Sequence, residues 1–276
     1  MSRPVSRPTS GKLSRIASIA ALALGLGALG GCKLPTFGAY RGATTQGQAE
    51  FKLWSGMMIA GVVVMVIVLA LIIWACFAYR RRNDEMPKQF HANIPIEIIY
   101  TILPLVIVFV IFGYTVVTEN TVDALVTHPA ATIRVTGFQW GWKFTYVNSQ
   151  KRPIAQVVTS GLPQVLAGNP TDTNLYPQFE LPVGETTRIV LNSNDVVHTF
   201  YIPEFNFGRY AEPGYANNFD FTPVHTGVFP GRCAQYCGLY HSEMLFSVKV
   251  VSPADFQAWL VAHAPTSPVS LSAARS

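Results

Sequence analysis

The residues best equipped for chemistry lie in one short run, Cys233-Ala-Gln-Tyr-Cys237-Gly-Leu-Tyr-His241-Ser-Glu-Met244. Two thiols, an imidazole and a thioether fall close together there, and His198 stands on an earlier apolar-polar alternating stretch. Thiolate and thioether are soft donors that select copper, and a thioether is a poor ligand for zinc or hard cations. A second cysteine beside the usual single thiolate of a mononuclear copper site lets two sulfurs bridge two metals. An exported domain also offers a simpler use for such cysteines, a Cys233–Cys237 disulfide. The joint presence of His241, Met244 and His198 favours the metal.

These residues must be held by a fold, and the periodicity around them is that of strands. The segments Thr132-Ile-Arg-Val-Thr136, Trp142-Lys-Phe-Thr-Tyr146, Thr187-Arg-Ile-Val-Leu191, Val197-His-Thr-Phe-Tyr201 and Leu245-Phe-Ser-Val-Lys-Val-Val251 alternate or are β-branched and aromatic. Gly and Pro punctuate them repeatedly, as in a small sandwich or barrel. Residues 118–264 are therefore expected to form an all-β domain, and one loop plus one distant His resembles the way cupredoxin sandwiches hold copper, so a cupredoxin-like sandwich is expected. The stretch 148–177 shows many turn residues and no clear strand, and is expected to be a long surface connection. A short helix is expected over 253–260, opening on Pro253, and a disordered tail over 265–276.

Ahead of that domain the chain is apolar. Half of its 276 residues are hydrophobic and only 13% are charged, which points to a membrane protein. Residues 56–79 carry no charge and are long enough to cross ~30 Å of hydrocarbon. Arg80, Arg81 and Arg82 follow at once and mark the cytoplasmic side. A second span is expected over 98–117, with Glu97 at its entrance and Pro104 tolerated inside it. Together these make a transmembrane hairpin over 56–117 that leaves the β domain outside. Cys76 is expected to be a small buried hydrophobe.

The net charge of +5 comes largely from the N-terminus, where Arg3, Arg7, Lys12 and Arg15 stand without an acid among residues 1–31. A basic start, an apolar stretch and small residues before a cysteine read as a signal peptide. Leu29-Gly-Gly-Cys32 is similar to a bacterial lipobox, which would lipidate Cys32 and leave 32–55 as an external segment. No Lys/Arg stripe of a nucleic-acid face is evident.

The pattern Cys-x-x-x-Cys-Gly-x-x-His-x-x-Met after a transmembrane hairpin resembles subunit II of haem–copper cytochrome c oxidase, over about residues 50–260. Gly137-Phe-Gln-Trp140-Gly-Trp142 resembles the aromatic segment of that family, and Ile96-Glu97-Ile-Ile-Tyr-Thr101-Ile-Leu-Pro104 the start of its second helix. The resemblance implies a binuclear CuA centre on a bacterial plasma membrane. Cys233 and Cys237 would bridge both coppers, His198 and Met244 would complete one, and His241 with the Gln235 carbonyl the other. It makes Trp140 the electron-entry residue, exposed above the centre, with Trp142 packing. It makes Glu97 the mouth of a proton path. The implied partners are subunits I and III of an aa3-type oxidase, which reduces oxygen with proton pumping, and a c-type cytochrome donor. The family commonly carries Glu at position 235, whose carboxylate helps bind a magnesium shared with subunit I, whereas Gln235 offers a neutral oxygen.

Two relatives of that architecture are set aside by this sequence. Quinol oxidases keep the hairpin and sandwich but lose the copper ligands, and nitrous oxide reductase has the copper loop without the hairpin. A membrane-anchored copper-delivery or thiol-exchange protein is the alternative from a different class. On residues 119–276 nine basic residues oppose eleven acidic ones, a net of −2. That is too weak a field to steer a soluble basic cytochrome, so the donor is expected to be held nearby, as on a membrane-bound cytochrome bc complex.

Overall fold

A stretch with no charge for more than twenty residues has only one way to satisfy its backbone in lipid, the α-helix. In the computed structural model, which describes residues 35–264 apart from 82, 85, 87, 88 and 160–177, two such helices form: α1 (Thr45–Ala78) and α2 (Ile94–Val122). They pack against each other as a hairpin, and their Val, Ile, Leu and Phe side chains are largely exposed outward. Only lipid or partner helices can cover such a surface. Cys76 sits on this outer face and is exposed, so the expectation of burial fails, because the hairpin alone has no interior to bury it in.

Both helices outrun the expected spans of 56–79 and 98–117. At 1.5 Å per residue, α1 is ~51 Å long against ~30 Å of hydrocarbon, and its surplus is residues 45–55. Glu50 and Lys52 bound the hydrocarbon-compatible stretch without ending the helix, which starts where Thr44 caps it by accepting from the Gly47 N–H at 3.0 Å. The external segment expected over 32–55 is thus helical in its second half. α2 begins at the Asn93 cap with Pro95 in its first turn, and Pro104 lies inside it. The signal over 1–31, Cys32 and the tail over 265–276 fall outside the described residues.

The external part is a sandwich of two five-stranded sheets. One has the order β3 (Pro153–Thr159), β2 (Gly141–Val147), β1 (Ala131–Phe138), β5 (Thr187–Ser193), β8 (Asn217–Phe221). The other runs β4 (Gln178–Pro182), β10 (Leu245–Val251), β9 (Gly227–Cys233), β6 (His198–Ile202), β7 (Phe207–Ala211). A short helix, α3 (Pro253–Ala262), follows, and all these elements belong to one compact unit beginning at Ala39. The interior is aromatic: Phe144 stacks on Phe179 and Phe200 on Phe246, with Trp142 fully buried against Phe200 and Phe246. Strict alternation on β6 buries His198, Phe200 and Ile202 on one face. The same period that builds the core therefore carries His198 inward.

Strand β3 corrects the expectation of no strand in 148–177. It is an edge strand with Pro at its first residue, paired only to β2 and stepping through a bulge at Tyr146/Val147. Its place comes from that pairing more than from its own composition. The remainder of the stretch, 160–177, lies outside the described residues.

Hairpin and sandwich are tied at two points. The Ala43 and Thr45 N–H groups donate to the Glu204 and Thr222 carbonyls at 2.8 and 3.0 Å, and a Cβ on Gly47 would lie 2.1 Å from the Phe205 carbonyl oxygen, so only glycine allows the approach. At the end of α2, buried Asp220 pairs with Arg188 and accepts the Val126 N–H at 2.7 Å, while Arg188 donates to the Val126 carbonyl at 2.6 Å. Removing the carboxylate strands a cation and a backbone donor together. Asp220→Ala is expected to cost about 3 kcal/mol, lowering the melting point of the detergent-solubilised chain by roughly 5–10 °C. A drop below 1 °C would show that Arg188 finds water instead.

Candidate metal centre

Cys233 is the last residue of β9 and Leu245 the first of β10, so the eleven residues between them must fold back on themselves. The Cys233 N–H donates to the Met244 carbonyl at 3.0 Å and closes the neck of this loop. A single 3-10 turn at His241–Glu243 then aims His241 and Met244 inward. The donors converge. The two Sγ atoms are 3.9 Å apart, Met244 Sδ lies 3.3 Å from Cys237 Sγ, and His241 Nδ1 lies 3.5 Å from it. From β6, His198 Nδ1 reaches to 3.9 Å from Cys233 Sγ, and the Gln235 carbonyl is 3.2 Å from the same sulfur. His198 and Met244 are fully buried and both cysteines nearly so.

The two sulfurs are not a disulfide, which requires ~2.05 Å. Two thiolates held at ~2.3 Å by one metal at a near-tetrahedral angle stand ~3.8 Å apart, close to the spacing here. With two thiols, two imidazoles, a thioether and a carbonyl oxygen on one cluster, the donor set fits a soft metal and copper above all.

Electrostatics prepare the ligands unequally. Burial opposes ionisation of Cys233, but hydrogen bonding to His198 and to backbone groups of the loop outweighs it and holds that thiol below its ordinary value. Burial also opposes protonation of His198, yet Cys233 and Asp195 together raise its pKa. Cys237, buried and beside Cys233, is pushed up to about 12. Cys237 is therefore a thiol at neutral pH, and metal uptake must displace its proton.

Asp195 and Gln139 have no role in the sequence reading, and Gly238 stands there only as the glycine of the motif. Asp195 Oδ1 meets His198 Nε2 at 2.8 Å, which turns Nδ1 toward the sulfurs, and Asp195 Oδ2 accepts the Gln139 N–H at 2.7 Å. Gln139 Nε2 in turn donates to the Cys237 carbonyl at 2.8 Å. Gly238, at φ +118°, leaves room for that contact: a Cβ there would come within 3.2 Å of Gln139 Nε2 and 3.1 Å of the Trp140 ring. An acid three residues before His198 was the one local signal available.

Trp140 is half-buried rather than exposed. Its indole N–H donates to the Cys237 carbonyl at 3.2 Å and its ring packs edge-on to Tyr240, which leaves it partly buried against the loop. Trp142 packs in the core, with its N–H directed at the Met244 carbonyl at 3.4 Å. Glu97 belongs to another region, the first turn of α2, where Oε1 accepts the Asn93 N–H at 3.0 Å and so helps cap the helix. The Gln235 side chain is exposed at the loop surface, and His91, His128, His225 and His263 are exposed elsewhere.

Fold and site together define a membrane-anchored, cupredoxin-like sandwich carrying a soft-metal loop at one end. Models of the cytochrome c oxidase subunit II transmembrane domain and periplasmic domain match residues 37–116 and 131–251. The chain is 36% identical to the probable cytochrome c oxidase subunit 2 of Streptomyces avermitilis, over 81% of this chain and 77% of that one. It is 32% identical to cytochrome c oxidase subunit 2 of Mycobacterium tuberculosis, over 90% and 81% respectively. The periplasmic domain of subunit II of cytochrome oxidase of Bradyrhizobium japonicum aligns at 28% identity and TM-score 0.44, covering 50% of this chain and 96% of that one.

The chain belongs to the cytochrome c oxidase subunit II family. It is a subunit of a haem–copper oxidase complex, an oxidoreductase in which it meets other oxidase subunits, and the family implies copper at the cysteine loop.

Proposed function

We propose that this chain is the electron-entry subunit of an aa3-type oxidase, with Cys233, Cys237, His198, Met244, His241 and the Gln235 carbonyl holding a binuclear copper centre. The observation that carries the reading is the convergence of two thiols, two imidazoles and a thioether at one buried point. When bound, such a centre would supply one-electron redox chemistry. Cys233 and Cys237 would hold both coppers, with His198 and Met244 completing one and His241 with the Gln235 carbonyl the other. Trp140 receives the electron from a c-type cytochrome, and the Cys237 carbonyl that it touches leads into the cluster. The electron then leaves for the haem-bearing subunit I, where oxygen is reduced to water with proton pumping.

Purified oxidase should carry about two coppers per chain of this subunit, with thiolate-to-copper absorption in the visible and a near-infrared band. Absence of copper, or a stable Cys233–Cys237 disulfide in the assembled complex, would sink the reading.

The remaining roles follow the same family logic. Residues 1–31 direct export as a lipoprotein-type signal and Cys32 becomes the lipidated N-terminus. The Arg80 cluster faces the cytoplasm of a bacterium, and the sandwich stands on the outer side of its plasma membrane. Subunits I and III pack against the exposed hairpin. Glu97 opens a proton path, and a magnesium shared with subunit I would meet only the neutral oxygen of Gln235.

The donor is held close, as a c-type subunit of an attached cytochrome bc complex. Four acids of the sandwich side, Asp123, Glu180, Asp195 and Asp220, already face Arg209, Lys249, His198 and Arg188. Exposed apolar side chains instead stand on the copper loop, Tyr236 at 77% and Leu239 at 75%, and on the turn ahead of His198, at Val196 and Val197. Oxidation of a soluble, basic, mitochondrial-type cytochrome c is expected to be slow and only weakly salt-dependent. A rate that is fast at low salt and falls steeply toward ~0.2 M, where screening acts within ~10 Å, would overturn this.

A further inference from the structure

Gln139 has no assigned part in the site, yet it is the residue through which three separate segments meet. Its backbone N–H is held by Asp195 Oδ2, whose other oxygen holds His198. Its side-chain amide donates to the Cys237 carbonyl, the same oxygen that receives the Trp140 indole N–H. A carbonyl oxygen has two lone pairs, and here both donors come from consecutive residues of the β1–β2 turn. Of the two bonds, Gln139's is the shorter, 2.8 Å against 3.2 Å. The amide therefore fixes the carbonyl, and the indole rests on a carbonyl already placed. The absence of a side chain on Gly238 keeps the pocket open for both.

We propose that Gln139 is a positioning residue for electron entry, setting the contact between Trp140 and Cys237 and raising the reduction potential of the centre through its amide dipole. This rests on the reading of the cluster as a copper centre entered at Trp140. The Gln139 N–H dipole ends on the Cys237 carbonyl oxygen rather than on Sγ, so it acts as a fixed positive partial charge beside the cluster and favours the more electron-rich, reduced state. Trp140's N–H adds to the same field, but it can keep its distance and angle only while the carbonyl stays put.

The test compares wild-type oxidase complex with Gln139→Met, which fills the same length without a donor, and Gln139→Glu, which sets a carboxylate against the carbonyl. Copper content, the midpoint potential read from the near-infrared band, and the electron paramagnetic resonance spectrum are recorded for each. Expected is full copper in Gln139→Met, with the reduced-to-oxidised ratio at fixed potential lowered about tenfold, which is ~59 mV for one electron. Gln139→Glu should move further in the same direction, and entry from a small one-electron dye should slow in both. Unchanged potential and spectrum in Gln139→Met with copper intact would overturn the proposal. Loss of copper in both variants would overturn it too, by making Gln139 a brace of the loop and nothing more. A wild-type complex without the copper signature would instead sink the underlying reading, so the two failures are distinguishable.

Discussion

Cys233→Ser is expected to abolish the binuclear centre, with the near-infrared band gone, copper below one per chain and cytochrome oxidation at background. A serine hydroxyl is a hard donor with a much higher pKa, and it cannot replace a thiolate shared by two soft metals. Cys233 is also the thiol whose ionisation the site favours through His198, so its loss leaves His198 and the Gln235 carbonyl without the sulfur they face. Met244→Leu provides the contrast. Leucine keeps the buried volume at the loop neck while removing only the weakest donor, so copper should stay bound with a shifted spectrum and potential. Equal copper loss in both variants would mean that packing, rather than ligation, governs the site.

Trp140→Ala should produce the opposite pattern, a centre that is full and a complex that is slow. The ring supplies no ligand atom, and its one polar contact with the cluster is the N–H donated to the Cys237 carbonyl. The Gln139 amide still holds that carbonyl, so copper content and spectrum should change little. Turnover with the natural donor should fall about a hundredfold or more, the scale on which misplacing a reacting pair by an ångström acts. Unaltered turnover would remove Trp140 from the route, and loss of copper would reassign it to the scaffold of the loop.

Several features of this molecule are readable without coordinates because they are local. The two spans announce themselves by an absence of charge, since hydrocarbon leaves the backbone no alternative to the helix. The donors of the loop are legible because four of the five side chains lie between Cys233 and Met244, and ligand chemistry depends on donor type before it depends on placement. His198 is legible because it sits on a strand whose alternation is strict. Helix ends are different. α1 continues past Glu50 and Lys52 because Thr44 caps it and the sandwich receives Gly47, and neither event is written in hydropathy. β3 is a strand because β2 lends it partners.

What the amino-acid sequence determined by itself is the hairpin, the β class of the domain and the identity of the soft donors. All of these follow from composition or from spacings of a few residues. Tertiary structure alone decided that the Trp140 indole meets the Cys237 carbonyl, that Asp195 orients His198, and that Gln139 reaches Cys237 across 98 positions of chain. The physical reason is that a hydrogen bond has a reach of about 3 Å and no memory of sequence separation. Which amide meets which carbonyl is settled when two sheets close on a shared aromatic core, and nothing in the local pattern of either partner announces it.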